Sequence, residues 1–231
     1  MPPSFWVVIP AAGVGSRMRA DRPKQYLGLA GKTIIEHTLD CFLDHPDLNG
    51  IVVSLATRDP YWAGLRCASD ARIHRADGGA ERADSVLAGL RCLSQLGAKD
   101  EDWVLVHDAA RPNLAREDLD NLFAQLVNDP VGGLLAVPAR DTLKRAGPEG
   151  RVEETVDRSV IWQAFTPQMF RLGALRDALV GALANGVAIT DEASALEWAG
   201  QSPRLIEGRA DNIKVTRPED LEWLAQRWNT Q

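Results

Sequence analysis

The run Pro10-Ala11-Ala12-Gly13-Val14-Gly15-Ser16-Arg17-Met18, followed by Pro23-Lys24-Gln25-Tyr26-Leu27, has the residue types that phosphate chemistry needs. A turn of small residues lets backbone N–H groups approach a polyphosphate unobstructed, and Arg17 and Lys24 place two fixed positive charges beside it. Pro10, Ala11, Ala12, Gly13 and Gly15 are therefore candidates to cradle a nucleoside triphosphate. Arg17 and Lys24 are candidates to stabilise charge building up on phosphorus. A Gly-x-Gly taken alone does no more than turn a chain. The sequence has no Walker A loop, and Met18 stands where a dinucleotide fingerprint needs its third glycine. A triphosphate at neutral pH travels with Mg²⁺. Asp108, just past the apolar run Trp103–Val106, is the candidate carboxylate near that ion. An N-cap or an Asx-turn is its competing role.

The elements that must position these residues read as α/β. Strand-like runs recur at Phe5–Ile9, Ile51–Leu55, Trp103–Val106 and Leu134–Val137. Between them Ile35, Leu39 and Phe42, then Val86, Leu90 and Leu93, then Leu119, Leu122, Phe123 and Leu126 repeat at helical spacing. Alternation of this kind predicts a mostly parallel, Rossmann-like sheet flanked by helices on both faces. Ligands then bind at the carboxyl ends of the strands, so the Gly-rich loop and the Asp108 loop should share one rim. Leu172, Leu175 and Leu179 mark a later helix, Thr190-Asp191-Glu192 reads as an N-cap, and Thr216-Arg217-Pro218-Glu219 as a capping box before a last helix. Arg140 to Val160 breaks the rhythm. Thr142–Arg145 and Val152–Val156 flank Gly147-Pro148-Glu149-Gly150 as two strands of a polar hairpin, which needs something to pack on.

A chain of 231 residues with 45% hydrophobic composition has room for one domain, residues 1–231, with a real core. A net charge of -6 argues against nucleic-acid and membrane-surface partners, while local charge still permits a phosphate site. Cys41, Cys67 and Cys92 show no metal or redox spacing and suit the reducing cytoplasm. The apolar start lacks a basic n-region and reads as a strand, and no apolar run reaches membrane-spanning length.

With the P-K-Q-Y-L string, Gly78–Val86 (G-G-A-E-R-A-D-S-V), Val106–Pro112 (V-H-D-A-A-R-P), Thr155–Arg158 (T-V-D-R) and Asn212–Thr216 (N-I-K-V-T), the sequence resembles the 2-C-methyl-D-erythritol 4-phosphate cytidylyltransferases of the non-mevalonate isoprenoid pathway. The resemblance runs from about residue 6 to 224, with no departure at a motif position. It implies transfer of a cytidylyl group from CTP to 2-C-methyl-D-erythritol 4-phosphate, with pyrophosphate released. It also implies a homodimer in which the 140–160 arm crosses to the partner. The transferase is expected alone, without the downstream cyclase that some relatives carry.

By the same resemblance Gly79 and Ser85 approach the cytosine, Ala109 contacts the nucleotide, and Lys214 and the arm's Arg158 position the polyol phosphate. Arg111 would sit near that phosphate, or form a salt bridge within its loop. Thr142, Thr166 and Thr190 are hydroxyl candidates, although each alone suits a structural role. Asp211 is a weaker candidate. Arg82 would instead hold its loop, and His107 reads as structural. Three rival readings remain: a ribitol 5-phosphate cytidylyltransferase, an NAD-dependent oxidoreductase, and an inactive nucleotide-binding subunit. The methylerythritol reading is favoured by Thr142, Arg158 and Lys214, and the oxidoreductase is disfavoured by the absent third glycine.

Overall fold

The structure is a computed structural model that describes residues 4–13, 15, 18 and 20–228. In chain order, β1 (Phe5–Pro10) leads through the Gly-rich loop to a small ribbon, β2 (Gly28–Leu29) and β3 (Lys32–Thr33), and into α1 (Ile34–Leu43). There follow β4 (Leu48–Leu55), β5 (Ile73–Asp77), α2 (Arg82–Gln95), β6 (Trp103–Val106), α3 (Arg116–Leu126) and β7 (Gly132–Pro138). The hairpin β8 (Leu143–Ala146) and β9 (Val152–Val156) comes next, then β10 (Trp162–Arg171), α4 (Leu172–Ala184), α5 (Glu192–Trp198), β11 (Arg204–Glu207) and α6 (Pro218–Trp228).

Seven strands form one sheet in the order β11-β7-β10-β6-β1-β4-β5. It is mostly parallel, as the sequence predicts. Only β10 runs antiparallel, inserted between β6 and β7. Both faces of the sheet are covered at its centre, so β1 and β6 are apolar in both directions. Val7 and Ile9 pack with Leu39 and Phe42 of α1 and Leu119 and Leu122 of α3 on one face. Val8 packs with Val86 and Leu90 of α2 and Leu175 and Leu179 of α4 on the other. A third cluster joins Met18, Leu29, Ile34 and Ala110 to Val215 and to Leu224 of α6.

Two caps differ from the sequence reading. Asp191, not Thr190, caps α5 by accepting from Ser194 N–H. In the first turn of α6 the capping carboxylate is Asp220, not Glu219. It accepts from the N–H and hydroxyl of Thr216 and from Arg217 N–H. The shorter Asp side chain, one residue further on, reaches back to both backbone donors.

The hairpin between β7 and β10 forms where expected, shifted by one residue at its start. Its strands pair with each other and with nothing else in the sheet. Val152 is 63% exposed and Val160, just beyond it, 73%. Apolar side chains so exposed on a two-stranded ribbon leave it without a core of its own within the chain.

Candidate functional site

Three strand ends and the loops after them build the site. Ala11 N–H donates to Ser54 O on β4 (2.8 Å), Gly78 N–H to Leu55 O (2.7 Å) and His107 N–H to Val8 O (3.0 Å). Thus the Gly-rich loop, the G-G loop and the Asp108 loop are tied to one rim at the carboxyl ends of parallel strands. The fit is tight: a Cβ on Gly78 would come within 2.5 Å of the Ala12 Cβ. Small residues at both positions let the two loops meet. Gly15 has φ +66°, a conformation that side chains strain to adopt.

The loops enclose a cleft of about 290 Å³. Pro10, Ala11, Ala12, Gly13, Gly15, Lys24, Gly79, Ser85, Asp108, Ala109 and Lys214 all line it. So do two residues whose part the sequence left open or missed, Arg82 and Gln25. Buried Gln25 donates to Ala11 O (2.8 Å) and more weakly to Gly13 O (3.4 Å), pinning the Gly-rich loop from below. Lys24 Nζ donates to Val215 O (2.9 Å). Ser85 Oγ accepts from Gly79 N–H (3.1 Å) and donates to Glu81 O (3.2 Å), which fixes the G-G loop on the first turn of α2. Arg17 lies outside the described residues.

A second cavity of about 200 Å³ adjoins the first, and Arg82, Asp108 and Lys214 line both. Arg111, Thr166 and Thr190 line only the second. Thr190 is exposed there. The Thr166 hydroxyl is engaged behind the wall: it accepts from Asp108 N–H (3.0 Å) and bonds His107 Nδ1 (3.0 Å). Its position is thus a brace for the Asp108 loop. Thr142 and Arg158 line neither cavity in this chain, and Arg158 donates to Arg140 O. Asp211 pairs with Arg209 and Arg227, away from both cavities.

Asp108 is the electrostatic centre. Its Oδ2 meets Lys214 Nζ at 2.8 Å and Arg111 at 3.4 Å, and its Oδ1 meets Arg82 at 3.1 Å. Burial alone would raise its pKa, but Arg82, Lys214 and Arg111 outweigh that and hold the carboxyl far below the usual range. The cations are thereby fixed in place around an anion, side by side, on the wall between the cavities. Burial lowers Arg111 against the opposing pull of Asp108.

His107 proves structural. It is fully buried, its Nε2 bonds Arg111 O (2.9 Å), and burial pushes its pKa down to about 4. A depressed folded pKa contributes stability that is present above the unfolded value near 6.5 and is lost as pH falls toward 4. Urea unfolding at pH 7 and pH 4.5 should show this loss. His107→Gln, which cannot take up the proton, should lose less stability between the two pH values than the parent. His45, lowered by its own burial, contributes the same way to both proteins, so the difference isolates His107. Equal acid losses would show that His107 does not titrate in this window.

Comparison with known proteins agrees with this geometry. A family model described as 2-C-methyl-D-erythritol 4-phosphate cytidylyltransferase matches residues 5–228. The protein of that name from Pseudomonas entomophila is 72% identical over 227 residues, covering 98% of this chain and 97% of that one. Its counterpart in Pseudomonas savastanoi pv. phaseolicola is 74% identical over 225 residues, covering 97% and 95%. Among solved structures, the Francisella tularensis 2-C-methyl-D-erythritol 4-phosphate cytidylyltransferase superposes with a TM-score of 0.84 at 38% identity, covering 97% of this chain and 99% of that one.

Proposed function

This chain belongs to the 2-C-methyl-D-erythritol 4-phosphate cytidylyltransferase family, and from that premise and the paired cavities we propose how its residues divide the reaction. The enzyme transfers the cytidylyl group of CTP to 2-C-methyl-D-erythritol 4-phosphate, a step in isoprenoid precursor biosynthesis. A phosphate oxygen of the polyol phosphate attacks the α-phosphorus of CTP. The new P–O bond forms as the bond from that phosphorus to the β-phosphate bridging oxygen breaks, and pyrophosphate leaves with the electron pair. The attacking oxygen is already anionic, so no general base is needed, and no histidine lines either cavity. What remains for the protein is alignment and charge stabilisation.

The observation that carries the assignment of roles is the shared wall of Arg82, Asp108 and Lys214 between two cavities of unequal size. CTP occupies the larger, with its phosphates on the Gly-rich loop beside Lys24 and its base toward Gly79 and Ser85. The polyol phosphate occupies the smaller, beside Arg111 and Thr190, with Lys214 between the two substrates. Thr142 and Arg158 reach that cavity from the 140–160 arm of a second copy, since their own arm places them at neither cavity.

Mg²⁺ arriving with the triphosphate would be held at Asp108, where the three cations leave one of the roughly four lone-pair sites of the carboxylate and the triphosphate's negative charge offsets theirs. Among the described residues no group of three or more His, Cys, Asp or Glu is placed to hold a metal. An ion brought in by the triphosphate would be held by that one carboxylate together with substrate phosphates and water. When bound, the ion supplies neutralising charge to the triphosphate. No helix among the described residues is long and apolar enough to cross a membrane. We place the reaction in the cytoplasm, where the three free cysteines would stay reduced.

Pyrophosphate release tests the reading directly. With 2-C-methyl-D-erythritol 4-phosphate as acceptor, CTP should exceed UTP in kcat/KM by at least ~10², because the wrong base leaves buried polar groups unpaired. With CTP as donor, ribitol 5-phosphate should be the poorer acceptor. Comparable values for CTP and UTP would overturn the cytidine assignment, and a preference for ribitol 5-phosphate would overturn the acceptor.

A further inference from the structure

Glu192 has no part in the reaction as described, yet it is the most deeply buried charged group near the cavities, with 0% exposure. It is the first residue of α5, and its two carboxylate oxygens take both terminal nitrogens of Arg82, at 2.6 and 3.1 Å. The remaining Arg82 edge donates through Nε to Asp108 Oδ1 at 3.1 Å. One guanidinium is therefore gripped from two sides by carboxylates 84 positions apart in sequence, and it lines both cavities. A bidentate fork of this kind fixes orientation as well as distance.

What holds Glu192 is itself rigid. Gln168 on β10 accepts from Ala193 N–H (2.8 Å) and donates to Asp191 Oδ2 (2.9 Å), so the start of α5 is bolted to the sheet. Two positions before it on the same strand, Thr166 braces Asp108 from behind. One strand thus sets the spacing between Asp108 and Glu192, and Arg82 spans the gap.

We propose that Glu192 is a positioning residue of the transferase, clamping Arg82 so that Asp108 Oδ2 stays with Lys214 between the two substrates. Without the Glu192 charge, Arg82 turns its fork onto both Asp108 oxygens. It then displaces Lys214 and Arg111, the two cations that face the polyol phosphate. Glu192 lines neither cavity, so its effect runs through Arg82.

A double-mutant cycle reads this dependence. The inference rests on the reaction assigned above. Parent turnover in the same pyrophosphate assay tests that assignment, whereas only the pattern among variants tests Glu192. A displacement of about 1 Å at reacting groups can cost ~10²-fold, so Glu192→Gln and Arg82→Gln should each lower kcat/KM by roughly 10- to 100-fold. The double variant should be no worse than the poorer single one, because the second change removes a residue that already has nothing to clamp. Losses that multiply would assign Glu192 an independent structural role, and a Glu192→Gln enzyme within about twofold of the parent would end the proposal. Arg82→Lys covers the case in which Glu192→Gln does not fold. It keeps the charge but not the fork, and should fall as far as Arg82→Gln. Retention of more than half of parent activity by Arg82→Lys would overturn the clamp.

Discussion

Lys24→Ala is expected to lower kcat by ~10²–10³ while the protein remains folded and still binds CTP. The size follows from where the ammonium sits. Lys24 opens a single turn, Lys24–Tyr26, directly after Pro23, and its side chain lines the cleft against Gly15. In the proposed role, a cation held there would face the charge that develops as phosphorus becomes five-coordinate, with no rearrangement needed at that moment. The bond to Val215 O raises a second explanation, that Lys24 merely ties two loops together. Lys24→Gln separates them, since an amide can keep that hydrogen bond but not the charge. Both variants should be slow if charge matters, and only the Ala variant if the tie matters. Turnover above half of the parent's in Lys24→Ala would remove Lys24 from the transition state altogether.

Mixing two inactive variants should restore activity from near zero to about one quarter of the parent's, if the arm serves the partner's site. Lys24→Ala spoils the nucleotide side of its own cleft, and Arg158→Ala spoils the arm. Random exchange makes half of the dimers mixed. Each mixed dimer has one site with both defects and one with neither. The structural ground is that Arg158 and Thr142 line neither cavity of their own chain, while the hairpin that carries them exposes apolar Val152. Mass spectrometry of the intact mixture would verify exchange. Confirmed exchange without recovered activity, or an active enzyme that sediments as a monomer, would return Arg158 to its own subunit or to no role.

The sequence made some of this legible for identifiable reasons. β1, β6, most of β7 and the Ile51–Val53 centre of β4 are buried on both faces and read as apolar runs. β5, at the sheet edge, shows only Ile73 as a buried residue in Ile-His-Arg-Ala-Asp, so no apolar pattern announces it. β10 carries Gln163, Thr166, Pro167 and Gln168, polar or ladder-breaking types that argue against a central strand. Of these, Thr166 braces Asp108 and Gln168 braces the start of α5. β11, Arg204–Glu207, is a short edge strand with one buried residue.

At the site, the residues with backbone or charge signatures after strand ends were visible: the Gly-rich loop, Lys24, Asp108. The second partner of Arg82, Glu192, was not. Glu192 lies 110 positions from it, and one acid among many at a helix start carries no mark of its destination. Gln25 was seen only as part of a string, because nothing in a glutamine's type says that it will sit beneath a loop and hold two carbonyls. The arm's role rests on resemblance, since a polar hairpin reads the same whether it packs on a partner or on water.

The third cluster has a bearing on how the molecule is made. The Gly-rich end of the chain is completed by its far end: Met18 packs with Val215 and Leu224, Val215 N–H donates to Ala110 O at 2.8 Å, and Lys24 is tied to Val215 across 191 positions. All seven strands of the sheet lie before Gly208. Truncation after β11 would therefore leave the sheet all of its strands while removing Lys214, Val215 and α6 from around the cleft. Although the phosphate loop follows the first strand, the wall of the nucleotide cleft is completed only by residues that come after every strand of the sheet.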